Sequence, residues 1–425
     1  QVELLSNYPK SKITNKEVYK QGGINELFYE YLDNSIFSDE GGNPFEMYEH
    51  QASSLLNSAK RKNVILTTGT GSGKTEGMYL PIFKSLLNES LTWTKPNNEA
   101  GSHWFQTEEN LSNTENWQRS NETREAADRC LMLFPLHALV EDQNTRLRKI
   151  FTGKQGEELS RLINGNRIYF GSYKGGSGGS PNMKQSNFKK IKNNLKRNYK
   201  EFINICKNIE DGKFEEQLRY MNQTFDGGEM WTKKEMQINP PDILITNYTM
   251  LSIMMSRSYE ENIISSTKNW LKKEGNVFTL LIDEIHSYRG TQGTEIAFMI
   301  RRFLDRIGAF EEGKLRIVGS SASMDDENKK FLEDFFGKPA ESFEIISNPP
   351  AVEKTKKIDT NFLKKSIISE TYEGIKTEDW DYLFYNEYEK LKNSEEKDTS
   401  LDNIAKSLFG PEPNSCLLYT SPSPR

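Results

Sequence analysis

The chain has 425 residues, 35% of them apolar, with 56 Lys and Arg against 61 Asp and Glu for a formal net charge of −5 at pH 7. The mean hydropathy is −0.74, and no apolar run approaches the ~20 residues of a membrane span, which excludes a spanning helix. Three scattered cysteines, Cys130, Cys206 and Cys416, exclude a disulfide framework and a C-x-x-C metal site, and suit a reducing cytoplasm. The length is enough for two or three domains.

Residues 1–44 are polar with two aromatic patches and predict short helices, ended by the turn cluster Gly41-Gly42-Asn43-Pro44. The stretch Phe45-Glu46-Met47-Tyr48-Glu49-His50-Gln51 leads into a helix with Ala52, Leu55, Leu56 and Ala59 on one face. Next comes an apolar strand, Val64-Ile65-Leu66, then Thr68-Gly69-Thr70-Gly71-Ser72-Gly73-Lys74-Thr75, then a helix over 76–87. Strand, glycine loop and helix is the setting of a phosphate-binding loop. Its glycines let successive N–H groups converge on one point, and the helix N-terminus adds its positive end. Lys74 is placed to reach the β- and γ-phosphates of a nucleotide, and the Thr75 hydroxyl to sit on Mg²⁺. Thr68 stands where the strict G-x-x-x-x-G-K-[ST] pattern has its first glycine.

Residues 88–128 lack a clear period and read as an insertion whose tryptophans, Trp93, Trp104 and Trp117, anchor it. Cys130–Phe134 predicts a buried strand, and Pro135-Leu136-His137 turns from it into a helix carrying Gln143, Arg146, Arg148 and Lys149. A strand over 167–171 ends at Gly171 and opens a second insertion, 175–238, which starts with a glycine run and includes a basic stretch, 184–200, read as a solvated helix, with phosphate binding as the alternative. The run 240–251 predicts a strand ending in Thr246-Asn247-Tyr248 and passing into a helix. Phe278–Ile282 predicts another strand, which delivers Asp283 and Glu284 to its C-terminal edge, where open α/β sheets bind ligands. There Asp283 is suited to hold Mg²⁺, and Glu284 to orient and deprotonate an attacking water. A helix follows with Ile296, Met299, Ile300, Phe303, Leu304 and Ile307 as its apolar stripe. Then come a strand over 315–319 with Ser320-Ser321-Ala322-Ser323, and an exit strand within 341–346.

In this order the stretches resemble the first RecA-like domain of a superfamily-two DEAD/DEAH-type helicase, over about Phe45 to Phe343. The block from Trp231 to Gly337, with Asp283-Glu284-Ile285-His286-Ser287-Tyr288-Arg289-Gly290-Thr291-Gln292-Gly293-Thr294-Glu295 in it, is similar to large bacterial helicases of the MrfA type and to those of anti-phage defence islands. The resemblance implies an α/β fold with a mostly parallel sheet flanked by helices, with long insertions, and ATP with Mg²⁺ as cofactors. It implies that Gln51 reads adenine, and that Pro135, Leu136, His137, Gln143, Gly171, Thr246 and Asn247 contact nucleic acid. It also implies that Ser321, Ala322 and Ser323 couple hydrolysis to domain movement, with His286 linking them to the ATP site. The expected partner is DNA, as a single strand or a junction, with further repair or defence subunits; an RNA helicase or a non-hydrolysing binding module are the alternatives.

The expected organisation is an N-terminal extension over 1–44, the RecA-like domain over 45–345, and a linker with a helical segment over 346–415. A working motor of this class needs a second RecA-like domain with paired arginines, and no Q-x-x-R-x-x-R pattern occurs. The chain reads as truncated before that domain and, alone, poorly active. Residues 416–425 match the translation of a sequencing adapter and carry no function.

Overall fold

Among the described residues, short, mostly apolar runs become seven strands: β1 (Asn63–Leu66), β2 (Cys130–Phe134), β3 (Phe170–Ser172), β4 (Ile243–Asn247), β5 (Phe278–Ile282), β6 (Leu315–Ser320) and β7 (Phe343–Ile346). They form one sheet in the order β3-β4-β2-β5-β6-β1-β7, and all its pairings are parallel. The computed structural model describes residues 8–38, 42–69, 71–97, 103–106, 117–174, 185–288, 290–322 and 324–347, all within the unit Tyr8–Pro349. Thr70, Ser323, the glycine run after Lys174 and the segment beyond 347, including the adapter-like tail, lie outside the described residues.

Parallel strands need helical crossovers, and these cover both faces of the sheet. Helices α1 (Asn15–Gly22), α2 (Tyr29–Ser35) and α3 (Glu49–Ala59) precede β1, and α4 (Lys74–Ser90) follows it. Between β2 and β3 lie α5 (His137–Phe151) and α6 (Gly153–Leu162); between β3 and β4 lie α7 (Gln185–Glu210), α8 (Leu218–Met221) and α9 (Lys233–Ile238). Then α10 (Tyr248–Ser256) and α11 (Glu261–Leu271) lead to β5, α12 (Gly290–Arg306) to β6 and α13 (Lys329–Phe336) to β7. None of these helices is long and apolar enough to cross a membrane.

Successive strand residues alternate between two cores, as the pleat requires. Val64, Leu66, Cys130, Met132 and Phe134 pack under α3, α4 and α5, while Ile65, Leu131 and Leu133 face α10, α11 and α12. On α12 the predicted stripe is buried at Ile296, Ile300, Phe303 and Leu304, with Met299 partly buried, and Ile307, just past the helix end, is buried too.

The two insertions meet in a third core of Trp104, Phe105, Trp117, Phe188, Leu195, Phe202 and Phe225. Trp104 stacks on Trp117 and on Phe188 of α7, and its indole N–H donates to the buried Glu235 carboxylate at 2.6 Å. The basic stretch is helical as expected but runs on to Glu210, because Phe202 continues the buried face begun by Phe188 and Leu195. At the sheet's N-terminal edge Asp242 accepts from Arg119, Arg124 and Arg129 at 2.9, 2.6 and 3.0 Å, all four side chains being nearly fully buried. Arg124 also lies over the Trp93 ring, its guanidinium carbon 3.6 Å from the centroid.

One strand starts later than expected. β3 begins at Phe170, not at Arg167, because the preceding N–H groups face carboxylates: Arg167 N–H donates to Glu122 and Tyr169 N–H to Asp242 Oδ2.

Candidate functional site

Because every strand runs the same way, all the motif-bearing turns leave one edge of the sheet. The strand order divides that edge in two. The ends of β1, β6 and β5 are neighbours, and so are those of β2, β4 and β3. The phosphate loop, the Asp283-Glu284 pair and the Ser320-Ser321 turn are thereby gathered in one half, and Pro135, Gly171 and Asn247 in the other.

In the first half, Gly71 and Gly73 have φ of 74° and 73°, a conformation that side chains other than glycine adopt at a cost. A Cβ on Gly73 would lie 2.4 Å from Gln51 Nε2, so both backbone shape and space demand glycine there. Thr68 Oγ1 and Ser72 Oγ, 2.6 Å apart and buried, strap the loop from inside. Gly69 lies against the Tyr8 hydroxyl. α4 starts at Lys74, with no side chain capping its first N–H groups, which leaves them for an anion. Lys74 and Thr75 are half-buried, and Lys74 makes no ion pair among the described residues. The loop therefore fits a polyphosphate.

Gln51 is buried, and both functions of its amide are in use: Oε1 accepts from Tyr48 N–H at 2.8 Å, and Nε2 donates to Gly73 O at 2.9 Å. It ties the turn before α3 to the phosphate loop. Beside it, Tyr48 stacks on His50 with ring centroids 5.7 Å apart, and Tyr8 meets the His50 edge at 5.8 Å. Burial pushes the His50 imidazole down to about 4; a backbone hydrogen bond at Ser72 opposes this and the Lys74 charge adds to it, so the ring is neutral at pH 7.

At the end of β5, Glu284 is left-handed, with φ 51° and ψ 49°, which costs a non-glycine residue about 1–2 kcal/mol. Its N–H turns back to Asp283 Oδ1 at 3.0 Å and to Ser320 Oγ at 3.2 Å, and the Ser320 hydroxyl donates to Asp283 Oδ1. His286 Nδ1 lies 3.1 Å from Glu284 Oε2, 3.1 Å from Ala322 N and 3.5 Å from Ser321 Oγ. One nitrogen cannot serve both neighbours at once. Unprotonated, it accepts from Ala322 N–H; protonated, it donates to Glu284. His286 is thus in contact with both the acidic pair and the serine turn.

In the second half, Asn247 Nδ2 lies 3.1 Å from His137 Nε2, while Asn247 Oδ1 caps α10 by accepting from Met250 N–H at 2.9 Å. Leu136 and His137 are exposed and Pro135 is half-buried. Thr246 and Gly171 lie beneath this surface. Thr246 Oγ1 donates to Tyr173 O at 2.7 Å, and Gly171 is packed against Met236. Gln143 is turned away from the surface: buried, it accepts from the Tyr79 hydroxyl of α4 and donates to Asp142 at 3.1 Å. Arg146 pairs with Glu76 at 2.9 Å and Asp142 at 3.0 Å. Helix α4, which starts at the phosphate loop, is therefore bonded side by side to α5, which starts at His137.

Sequence reasoning passed over Tyr8, Tyr48, His50 and Ser320. Tyr48, His50 and Ser320 sit inside stretches that were already singled out. Tyr8 carries no local signal and reaches the loop through tertiary packing alone.

A family model described as DEAD/DEAH box helicase matches residues 48–174. The Druantia protein DruE of Escherichia coli is 28% identical over 334 residues, covering 68% of this chain and 17% of that protein. An uncharacterised ATP-dependent helicase of Methanocaldococcus jannaschii is 23% identical over 329 residues, covering 76% of this chain and 33% of that protein. Among solved structures, the DUF1998 helicase MrfA bound to DNA aligns with a TM-score of 0.45 at 20% identity, over 82% of this chain and 30% of that one. The chain thus spans well under half the length of each of these proteins. Residues 48–174, which supply β1, β2 and β3 of the all-parallel sheet, are thus similar to DEAD/DEAH box helicases.

Proposed function

We propose that the chain is the first RecA-like domain of an ATP-dependent DNA helicase or translocase of the cytoplasm, serving repair or anti-phage defence, whose full activity needs a second such domain. The observation that carries this reading is His286, in contact with Glu284 on one side and with Ser321 and Ala322 on the other. A group so placed can report the state of the ATP site to a loop that moves.

In this mechanism Gly69, Gly71, Ser72 and Gly73 wrap the phosphates with main-chain N–H groups, a role proposed for Thr70 from the sequence alone, while Thr68 braces the loop and the Lys74 ammonium neutralises the charge that grows on the leaving phosphates. Mg²⁺, when bound, supplies further neutralisation of that charge. Thr75 and Asp283 would hold it, and two protein ligands are enough, because Mg²⁺ takes the rest of its shell from phosphates and water. Ser320 fixes the Asp283 carboxylate, and Glu284 takes the proton of the attacking water. Gln51 joins the loop to the Tyr48–His50 stack, in which His50 is buried and the half-buried Tyr48 ring would meet an adenine. Pro135, Leu136, His137 and Asn247 would meet the nucleic-acid strand, with Gly171 and Thr246 supporting them from below; buried Gln143 would instead transmit between α4 and α5. Ser321, Ala322 and Ser323 would couple hydrolysis to movement. No arginine pairs with Asp283 or Glu284 among the described residues, which supports slow turnover by this domain alone.

Nucleotide binding and hydrolysis by the wild type, Lys74→Ala and Glu284→Gln test this reading, with poly-dT and poly-rU as stimulants. The expected result is nucleotide binding lost in Lys74→Ala and kept in Glu284→Gln. Hydrolysis should be slow in the wild type, absent from both variants, and raised more by poly-dT. Hydrolysis undiminished in Glu284→Gln would sink the mechanism, fast DNA-stimulated turnover by residues 1–415 the requirement for a second domain, and preference for poly-rU the DNA assignment.

A further inference from the structure

Helix α7 carries seven basic side chains and two carboxylates, Glu201 and Glu210, in a chain whose net charge is negative. At 100° per residue, Lys189, Lys196, Lys200 and Lys207 fall within about 20° of one line along the helix, and Lys190 and Arg197 lie about a quarter turn round from it. All six are exposed, and none forms an ion pair among the described residues. Lys196 and Lys200 are one turn apart, an arrangement that destabilises a helix through like-charge repulsion. The opposite face, with Phe188, Leu195 and Phe202, is locked into the core of the insertions, so the stripe is held facing outward on a rigid element.

The module is also anchored at a telling place. Phe170 N–H donates to Gly228 O at 3.0 Å, and Met230 N–H donates to Phe170 O at 2.8 Å. The insertion thereby extends the sheet beyond β3, on the half of the edge that ends in Gly171 and Asn247 and not on the phosphate-loop half.

We infer that the α7 stripe is a second nucleic-acid surface that holds duplex by its phosphate backbone, without reading sequence; the inference rests on the helicase reading above. The stripe's chemistry selects the duplex. Single strands are held by exposed aromatic side chains that stack on bases, whereas the rings of α7 at Phe188 and Phe202 are buried and Tyr199 is half-buried. Lysines along a straight helix match a rigid row of phosphates. From Lys189 to Lys207 the stripe runs about 27 Å, or roughly eight base-pair steps. Duplex held there would lie beside the strand held at the sheet edge, as a motor working at a junction requires.

The test is fluorescence anisotropy of the full chain with a labelled 30-bp blunt duplex and a 30-nucleotide single strand, without nucleotide, across a series of KCl concentrations. It compares the wild type with the combined variant Lys189→Gln, Lys196→Gln, Lys200→Gln and Lys207→Gln. These side chains are exposed, so the variant is expected to unfold at the wild-type temperature. The slope of log K against log[salt] for the duplex should fall by about 3 to 4, and duplex affinity in low salt by ~100-fold, with single-strand affinity changed less than ~3-fold. An unchanged duplex slope would overturn the inference and leave the stripe to an acidic protein partner. Equal losses on both substrates would overturn the duplex assignment. Because no ATP is present, failure of the hydrolytic mechanism leaves this result untouched.

Discussion

Asp242→Asn is the substitution to which this fold should be most sensitive. The Asp242 carboxylate accepts from Arg119, Arg124 and Arg129, and its Oδ2 also accepts from Tyr169 N–H at 2.8 Å. Its carbonyl accepts from Arg129 and Cys130 N–H groups at 2.9 and 3.0 Å. One residue therefore ties together the approaches to β2, β3 and β4. Burial alone would raise the Asp242 carboxyl, but the three guanidinium groups hold it well below the usual carboxylate range. Burial pulls Arg119 down to about 10 even with Asp242 beside it. Asparagine keeps the size and can still accept from Tyr169, but it leaves Arg119 without a carboxylate and Arg124 and Arg129 with only Glu122 and Glu89.

Breaking a buried pair from one side costs about 3–5 kcal/mol, a large part of the 5–15 kcal/mol of a typical domain. Thermal unfolding followed by near-ultraviolet circular dichroism should show a midpoint about 10 °C lower. Because the folded-state pKa is depressed, the contribution is complete above the unfolded value of 3.8 and is lost only as pH falls through the lower folded value. The deficit of the variant should thus be full at pH 7 and shrink in strong acid. Glu157→Gln, which breaks an exposed 3.8 Å pair with Arg161, is the control and should leave the midpoint unmoved. A loss below about 1 kcal/mol in Asp242→Asn would refute the argument and show that the cluster is no stronger than surface pairs.

Two further substitutions address the insertions and the site. Burial pushes Glu235 up to about 7, against the hydrogen bonds from Thr232, Trp104 and Gln118. Its contribution is therefore fully present below the unfolded value of 4.5 and is lost as pH rises through about 7. The insertion module should lose up to about 3 kcal/mol between pH 5 and 9, read by tryptophan fluorescence in urea, and Glu235→Gln should flatten that profile. Ser320→Ala removes the hydroxyl that donates to Asp283 and accepts from Glu284 N–H. Loss of a hydrogen bond to a charged group predicts a fall in kcat of about 10- to 100-fold with nucleotide affinity little changed, measured by steady-state hydrolysis.

The fold and the glycine-loop half of the sheet edge were legible because their signals are local. Apolar runs such as Cys130–Phe134 and Phe278–Ile282 can be buried on both sides only as inner parallel strands, and both appear with the expected bounds. Gly71, Gly73 and Lys74 are recognisable because a phosphate-binding loop is built by consecutive residues. Interactions across the chain left less trace. Gln143 lies in a promising stretch, yet its partner is Tyr79 of another helix, which turns it inward. The late start of β3 depends on Glu122 and Asp242, both distant in sequence from Arg167 and Tyr169.

The amino-acid sequence by itself determined which chemistry is present: a glycine loop with Lys74, a carboxylate pair after an apolar strand, serines after another, and a lysine-rich helix. Tertiary structure alone decided how these meet. The strand order β3-β4-β2-β5-β6-β1-β7 sets the loop, the carboxylates and the serines side by side and moves Pro135, Gly171 and Asn247 to the other half of the edge. Two insertions far apart along the chain share one aromatic core, which turns the lysines of α7 outward. The physical reason is range. Backbone conformation and apolar periodicity are properties of neighbouring residues, whereas strand order and side-chain pairing come from minimising exposed apolar surface and unpaired buried charge over the whole chain.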